Sequence, residues 1–200
     1  MRHAKVKQAA RSQTTQDRII SIAREEFAAK GYAAVSLAEI VAAANVTTGA
    51  VYHHFGDKKG LFVAVAEHLE QTIVDEVAAT RSQAGEGWDD FVSAVLSTLQ
   101  ICARPDIQRI VFQEAPTVVG PAEWRKIEMN YAFGMMRTAL RQLKEDGLVQ
   151  TEDADLTAQI TLGAIIQAAH GIATARNRKA ALKNAQETLR LMLSALRAEQ

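Results

Sequence analysis

The chain has 200 residues, 48% of them hydrophobic, and its 23 Lys and Arg are matched by 23 Asp and Glu. That length supports one large domain or two small ones with a substantial core, and a neutral total assigns no partner by itself. A single cysteine, Cys102, excludes an intramolecular disulfide and fits a reducing cytoplasm. No stretch approaches the roughly 20 apolar residues expected of a bilayer span, and the basic opening MRHAKVKQAARSQ is followed by no signal-peptide core.

The charge is unevenly placed. Residues 1–60 hold nine Lys/Arg and five Asp/Glu, whereas residues 61–200 hold fourteen and eighteen. A basic front and an acidic rear suggest an anion-binding N-terminal part. The basic arm itself is expected to be a solvated, disordered tail, with phosphate contact as the sharper alternative.

Prolines occur only at 105, 116 and 121, and the rest is rich in strong helix formers, so the expected fold class is all-α with about nine helices. A first helix is predicted from about Thr15 to Lys30, with Ile19, Ala23 and Phe27 on one face, Asp17 in its first turn and Gly31 as its stop. Ser36 and Glu39 form a capping box before a short helix with Leu37, Ile40, Val41 and Ala44 in a stripe. Asn45 and Val46 break it, Thr47 caps a third, very short helix ending near His54, and Asp57 caps a long helix from 58 to about 83. Residues 82–87 read as a loop. Helices follow at about 88–103, 106–113, 122–145, 153–175 and 179–198, with an irregular EAPTVVGP piece between the second and third of these.

Residues 47–55, TTGAVYHHF, fall in this frame as the second helix of a helix-turn-helix. At 100° per residue Val51 and Phe55 share an inward face, while Gly49 and His53, with Ala50 nearby, point the other way. The small residues allow close approach to base edges, and Ala50 suits a thymine methyl. Thr47, Thr48, Tyr52 and His53 offer hydrogen bonds, and Lys58 opens the next helix within reach of a phosphate.

Arg18 to Phe62, RIISIAREEFAAKGYAAVSLAEIVAAANVTTGAVYHHFGDKKGLF, resembles the DNA-binding domain of the TetR family of bacterial transcriptional regulators. GY after the first helix, S-L-x-x-I, T-x-G-x-V-Y-x-H-F and D-K-x-x-L-F all stand in that pattern. The resemblance implies that Thr47, Thr48, Gly49, Tyr52, His53 and Lys58 occupy operator-contacting positions. It further implies a homodimer built on a four-helix interface from the last two helices, and a rear domain that takes a small effector. Residues 109–128 resemble, more loosely, the rear domain of one TetR subgroup.

Competing readings are weaker. His53 and His54 point apart and have no further ligand at metal spacing, so no metal is expected. Cys102, among Leu99, Ile101 and Ala103, reads as a buried thiol rather than a nucleophile served by His68 or His170. No Walker loop, H-E-x-x-H or G-x-S-x-G occurs, so no enzyme activity and no cofactor are expected. Trp88, Phe91, Phe112, Gln113, Trp124 and Tyr131, with Phe133, Met135 and Met136, are candidate pocket residues, and Arg109 and Glu114 weaker ones. Gln167 and His170 face either a ligand or the dimer seam, where Gly163, Ala164, Ala168 and Gly171 favour close packing. Leu156, Ile160, Gly163 and Gln167 form one stripe; Leu182, Ala185, Leu189, Leu193 and Leu196 form another.

The expectation is therefore a cytoplasmic, non-membrane, homodimeric repressor of a double-stranded palindromic operator, released by a small effector. Residues 1–56 form its DNA-binding domain and 57–200 its effector and dimerisation domain. The alternative is a helical small-molecule-binding protein or enzyme without DNA function.

Overall fold

A chain so rich in helix formers and so poor in proline folds as helices almost throughout. The computed structural model describes residues 2–81 and 87–198, which form ten helices and no strand beyond one antiparallel bridge, Val149 with Arg197. They are α1 (Arg2–Lys30), α2 (Leu37–Ala44), α3 (Thr48–Phe55), α4 (Lys58–Arg81), α5 (Trp88–Cys102), α6 (105–119), α7 (Pro121–Glu128), α8 (Ala132–Glu145), α9 (Ala154–Thr174) and α10 (Arg178–Ser194). Apart from Gly87, the loop expected at 82–87 lies outside the described residues.

The front is a three-helix unit resting on α4. Ile19, Ala23 and Phe27 of α1 are fully buried, together with Ile40, Val51, Leu61 and Phe62. The Phe62 ring packs edge-on against Phe27 and Tyr32, with centroids 5.2 and 5.0 Å away, an arrangement favoured by the ring quadrupoles. The capping box forms as expected: Ser36 Oγ accepts from Glu39 N–H, and Glu39 accepts from Ser36 N–H at 2.8 Å. Asn45, at φ 49°, closes α2 in the left-handed region, and the Val46 N–H reaches back to Val41 O at 3.2 Å. This compact C-cap sets the turn between α2 and α3.

Behind it, α4 runs on to pack against α5, and α9 lies among α5, α8 and α10. The chain end is fastened by Gln150 N–H to Leu196 O at 2.7 Å and Ala198 N–H to Leu148 O at 3.0 Å.

Three expectations need correction. First, α1 begins at Arg2 rather than Thr15; the arm lacks Pro and Gly and is rich in Ala, Lys, Arg and Gln, which continue a helix readily. Asp17 is consequently in mid-helix, accepting from Gln13 Nε2 at 2.9 Å. Second, EAPTVVGP is helical apart from Gly120 rather than irregular: α6 opens as α-helix at Pro105–Ile107, widens into a π-helix at Gln108–Glu114 and closes as α-helix at Ala115–Val119. The wide turn precedes Pro116, whose missing N–H and bulky ring a regular turn accommodates poorly. Third, the helix expected at 122–145 breaks at Met129, Asn130 and Tyr131 into α7 and α8. A Cβ at Gly134 would stand 2.1 Å from Met129 O, so only glycine permits that turn. By length and composition α9 resembles a membrane-crossing helix, with mean hydropathy 1.2 over its apolar window, as core helices of globular proteins also do; Asp155, Gln159, Gln167 and His170 interrupt its apolar run.

Candidate nucleic-acid interface and effector cavity

The recognition element is held from inside and presented outward. Val51 is fully buried and Phe55 packs against the core. Thr47, Thr48, Gly49, Tyr52 and His53 are exposed, and Ala50 and Lys58 half-exposed. The helix wheel therefore sorts α3 as the sequence predicts. Two details are new. Thr47 Oγ1 accepts from Ala50 N–H at 3.2 Å, so its acceptor role goes to the cap while its hydrogen stays available to a phosphate. Lys58 Nζ lies 4.4 Å from the Tyr32 ring centroid, a cation–π seat that orients the ammonium beside the N-terminus of α4. That N-terminus is capped by Asp57, which accepts from Gly60 N–H at 2.7 Å.

His53 and His54 stack edge-on with centroids 5.2 Å apart, and no cluster of three or more metal-ligating side chains occurs among the described residues.

In the rear, the predicted pocket residues divide. An apolar cavity of about 40 Å³ lies between α4, α5 and α8, lined by Ile73, Val77, Phe91, Val95, Met135 and Met136 among others. A smaller space of about 10 Å³ adjoins it, sharing Ile73, Thr98 and Ala132 and bordered by Glu70, Cys102, Phe112, Glu128 and Phe133. Phe91 and Phe112 thus line the cavities. Trp88 packs on Phe91, with centroids 5.9 Å apart. Trp124 is buried near Glu128, and Tyr131 is half-buried near Glu67 and Glu70. Gln113 is exposed, and Gln167 and His170 are exposed on α9 away from the cavity-lining residues. Cys102 is buried, which pushes its thiol well above the ordinary range and leaves it unreactive.

Sequence reasoning missed Glu70 and Glu128. Glu70 is 3% exposed; burial first, then the neighbouring Glu128, raises its carboxyl to about 8. Burial likewise raises Glu128. The signal was present: Glu70 lies four residues after Ala66 and eight after Phe62, on the buried stripe of α4.

Arg109 and Glu114 serve another purpose. Arg109 Nη1 donates to Ala28 O and Ala29 O at 2.8 and 2.7 Å, capping the C-terminus of α1 where cations are favoured. Glu114 accepts from Tyr32 N–H at 2.8 Å, and Asp106 pairs with Arg24 of α1. The π-helical segment thus clamps the end of α1.

A family model described as bacterial regulatory proteins, tetR family, matches residues 19–65, and one described as the tetracyclin repressor-like C-terminal domain matches 88–196. The chain belongs to the TetR family. It is 29% identical to the Transposon Tn10 TetC protein of Escherichia coli over 75% of this chain and 76% of that one. It is 25% identical to the HTH-type transcriptional repressor BepR of Brucella suis over 76% of this chain and 77% of that one. The crystal structure of a TetR-family transcriptional regulator from Pectobacterium atrosepticum, 31% identical, superposes with a TM-score of 0.74 across 95% of this chain and 97% of that one. The TetR-family protein described here is therefore a DNA-binding transcriptional regulator and not an enzyme.

Proposed function

We propose that the protein is a cytoplasmic homodimeric repressor that binds a palindromic operator through α3 and releases it when a small effector enters the rear cavity. Residues 1–56 act as the DNA-binding unit and 57–200 as the effector and dimerisation unit. The observation that carries this reading is the outward face of α3, where Thr48, Gly49, Tyr52 and His53 are uncovered although Val51 beneath them is fully buried.

Dimerisation is supported by where apolar surface remains. Among the described residues the exposed large hydrophobics are Tyr52, on α3, and Leu156, Ile160, Leu191 and Met192, on α9 and α10. Leu156, Ile160, Gly163 and Gln167 lie along one uncovered stripe of α9, where a Cβ at Gly163 or Gly171 would meet nothing within 4 Å. The stripe of Leu189 and Leu193 is buried within the subunit, so α10 offers Leu191 and Met192 instead. An eight-residue α3 is only about 12 Å long and reads few bases. Two copies, spaced by about 34 Å or a multiple, would specify a site.

Release requires an effector that favours the DNA-free conformation; equal affinity for both states shifts nothing. The supporting geometry is α4, which carries Lys58 at one end and lines the cavity with Ile73 and Val77 at the other. The BepR name supports the repressor sense.

A gel-shift titration against salt tests this. Binding should weaken steeply with salt, as counterion release demands. No salt-dependent binding to any DNA would favour a helical binding protein that lacks DNA function.

A further inference from the structure

Three arginines stand where α7, α8 and the start of α9 meet, and they are unequally employed. Arg141 holds both carboxylate oxygens of Asp155, with Nε donating to Oδ1 at 2.7 Å. Arg137 reaches only that same carboxylate, its Nη1 4.0 Å from Oδ2, which is beyond hydrogen-bond distance. The Arg137 Nε is buried without a hydrogen-bond partner. Arg125 is exposed, lies over the Phe133 ring at 5.3 Å, and has no carboxylate within salt-bridge distance among the described residues. Arg125 and Arg137 line one recess of about 340 Å³, with Met129, Phe133 and Leu156 as its apolar part and Asp153 and Asp155 also on its wall. Asp153 Oδ1 accepts from the Asp155 and Leu156 N–H groups at 2.9 and 3.0 Å. Both carboxylates are thus occupied by the fold, whereas the two guanidiniums are not. The neighbouring recess differs: its Lys144 donates to Glu152 O at 2.6 Å and its Arg141 is the paired one. A half-buried cation without its hydrogen bonds is costly until an anion meets it.

We propose that this recess is a second binding site, outside the inner cavity, for a small organic monocarboxylate. Its carboxylate lies between Arg137 and Arg125, and its apolar body lies against Met129 and Leu156. The planar fork of an arginine matches a carboxylate in two parallel hydrogen bonds. Local charge selects a monoanion, because Arg125, Arg137 and Arg141 against Asp153 and Asp155 leave a single positive charge uncompensated. Glu128, which also acts on Arg125, borders the inner cavity instead. The positive end of the 21-residue α9 adds to the attraction. A multiply charged anion would bring surplus charge against Asp153 and Asp155, and a neutral ligand would leave both guanidiniums unmatched. Of the residues lining the recess only Phe133 also borders the inner spaces, so occupancy here is separate from occupancy there. The recess already has the roughly 300 Å³ of a small-molecule site and takes its ligand without opening. Leu156 and Gln159 set it at the edge of the uncovered face of α9, so the rival occupant is an acidic side chain of a second copy.

The test titrates phenylacetate, its neutral isostere phenylacetamide and inorganic phosphate into the full chain by calorimetry. Phenylacetate should bind at least about tenfold more tightly than either of the others. Arg137→Gln should remove about tenfold from phenylacetate affinity and leave phenylacetamide unaffected. Arg137→Lys should recover part of that loss, because it keeps the charge and loses the fork. Arg125→Gln, at an exposed position, should act in the same direction with a smaller loss, and it decides the matter if the Arg137 variants do not fold. No phenylacetate binding, equal affinity for phenylacetate and phenylacetamide, phosphate binding as tight as that of phenylacetate, or full affinity in both glutamine variants overturns the proposal. Sedimentation equilibrium in parallel separates the rival occupant. Arg137→Gln that weakens self-association and leaves phenylacetate affinity unchanged assigns the recess to a second copy and overturns the ligand site.

Discussion

Gly49 and Gly60, eleven residues apart, answer to opposite sides of the molecule. A Cβ at Gly60 would stand 2.0 Å from Phe55 O, because α4 starts hard against the end of α3. Gly60→Ala should therefore cost about 2 kcal/mol or more in a denaturant melt. A Cβ at Gly49 would meet only Thr47 Oγ1, at 3.9 Å, so Gly49→Ala should leave stability within about 0.5 kcal/mol while weakening DNA binding. Equal loss of stability in both variants would refute the distinction. Along the same face, Tyr52→Phe and Lys58→Ala should weaken binding with little sequence preference, as phosphate contacts do, whereas Thr48→Ala should change the preferred half-site bases. A randomised operator library scored for all three variants checks this division. Glu70 carries a pH prediction. Its folded-state value of about 8 lies above the unfolded one, so the folded chain binds the proton more tightly. The resulting stability is full below about pH 4 and is lost as pH rises through about 8. The wild-type melting temperature should fall between pH 6 and 8.5, and Glu70→Gln should flatten that slope. At this scale the inward and outward faces of α3 were legible because helical geometry alone sorts Val51 and Phe55 from Gly49 and His53. The two carboxyls were not, because Glu70 hides in a stripe of apolar neighbours and Glu128 belongs to a helix whose end was misplaced.

Among the elements, α6 joins the rear cavity to the end of α1. Its π-helical part brings Phe112 to the cavity and turns Arg109 and Glu114 onto the end of α1. An effector that opens the cavity would pull on this clamp as well as on α4. Arg109→Ala, which uncaps Ala28 and Ala29, should leave DNA binding and ligand binding each within a few-fold of wild type and sharply reduce ligand-driven release. Unchanged release in a coupled titration would confine transmission to α4. The bounds of α2 and α3 and the start of α4 were legible to within a few residues, because Ser36, Asn45, Thr47 and Asp57 mark them by local chemistry; the start of α1 was not, because no such residue marks it. The end of α6 and the break between α7 and α8 were not. Pro116 and Gly134 look like simple breakers in sequence, whereas here one rides behind a π turn and the other follows a tight turn set by Met129 O.

For the whole molecule, the uncovered apolar face of α9 and α10 predicts the assembly. Ile160, 59% exposed, and Leu191, 73% exposed, should lie at the seam. Ile160→Asp should give a folded monomer in sedimentation equilibrium, with operator affinity reduced at least about tenfold by loss of the second half-site. A dimer that persists would move the interface elsewhere. The charge split between residues 1–60 and 61–200 already pointed to which end meets DNA; what covers α9 was ambiguous, because an apolar stripe reads alike whether it packs within or between subunits.

In the proposed assembly two copies of α3 read one DNA site. Selection of bound duplexes from a fully randomised library by the full-length protein tests it most directly. Inverted repeats whose half-site centres are about one helical turn, or a multiple of it, apart should be enriched. Recovery of no enriched sequence, or of a single unpaired half-site, would contradict it.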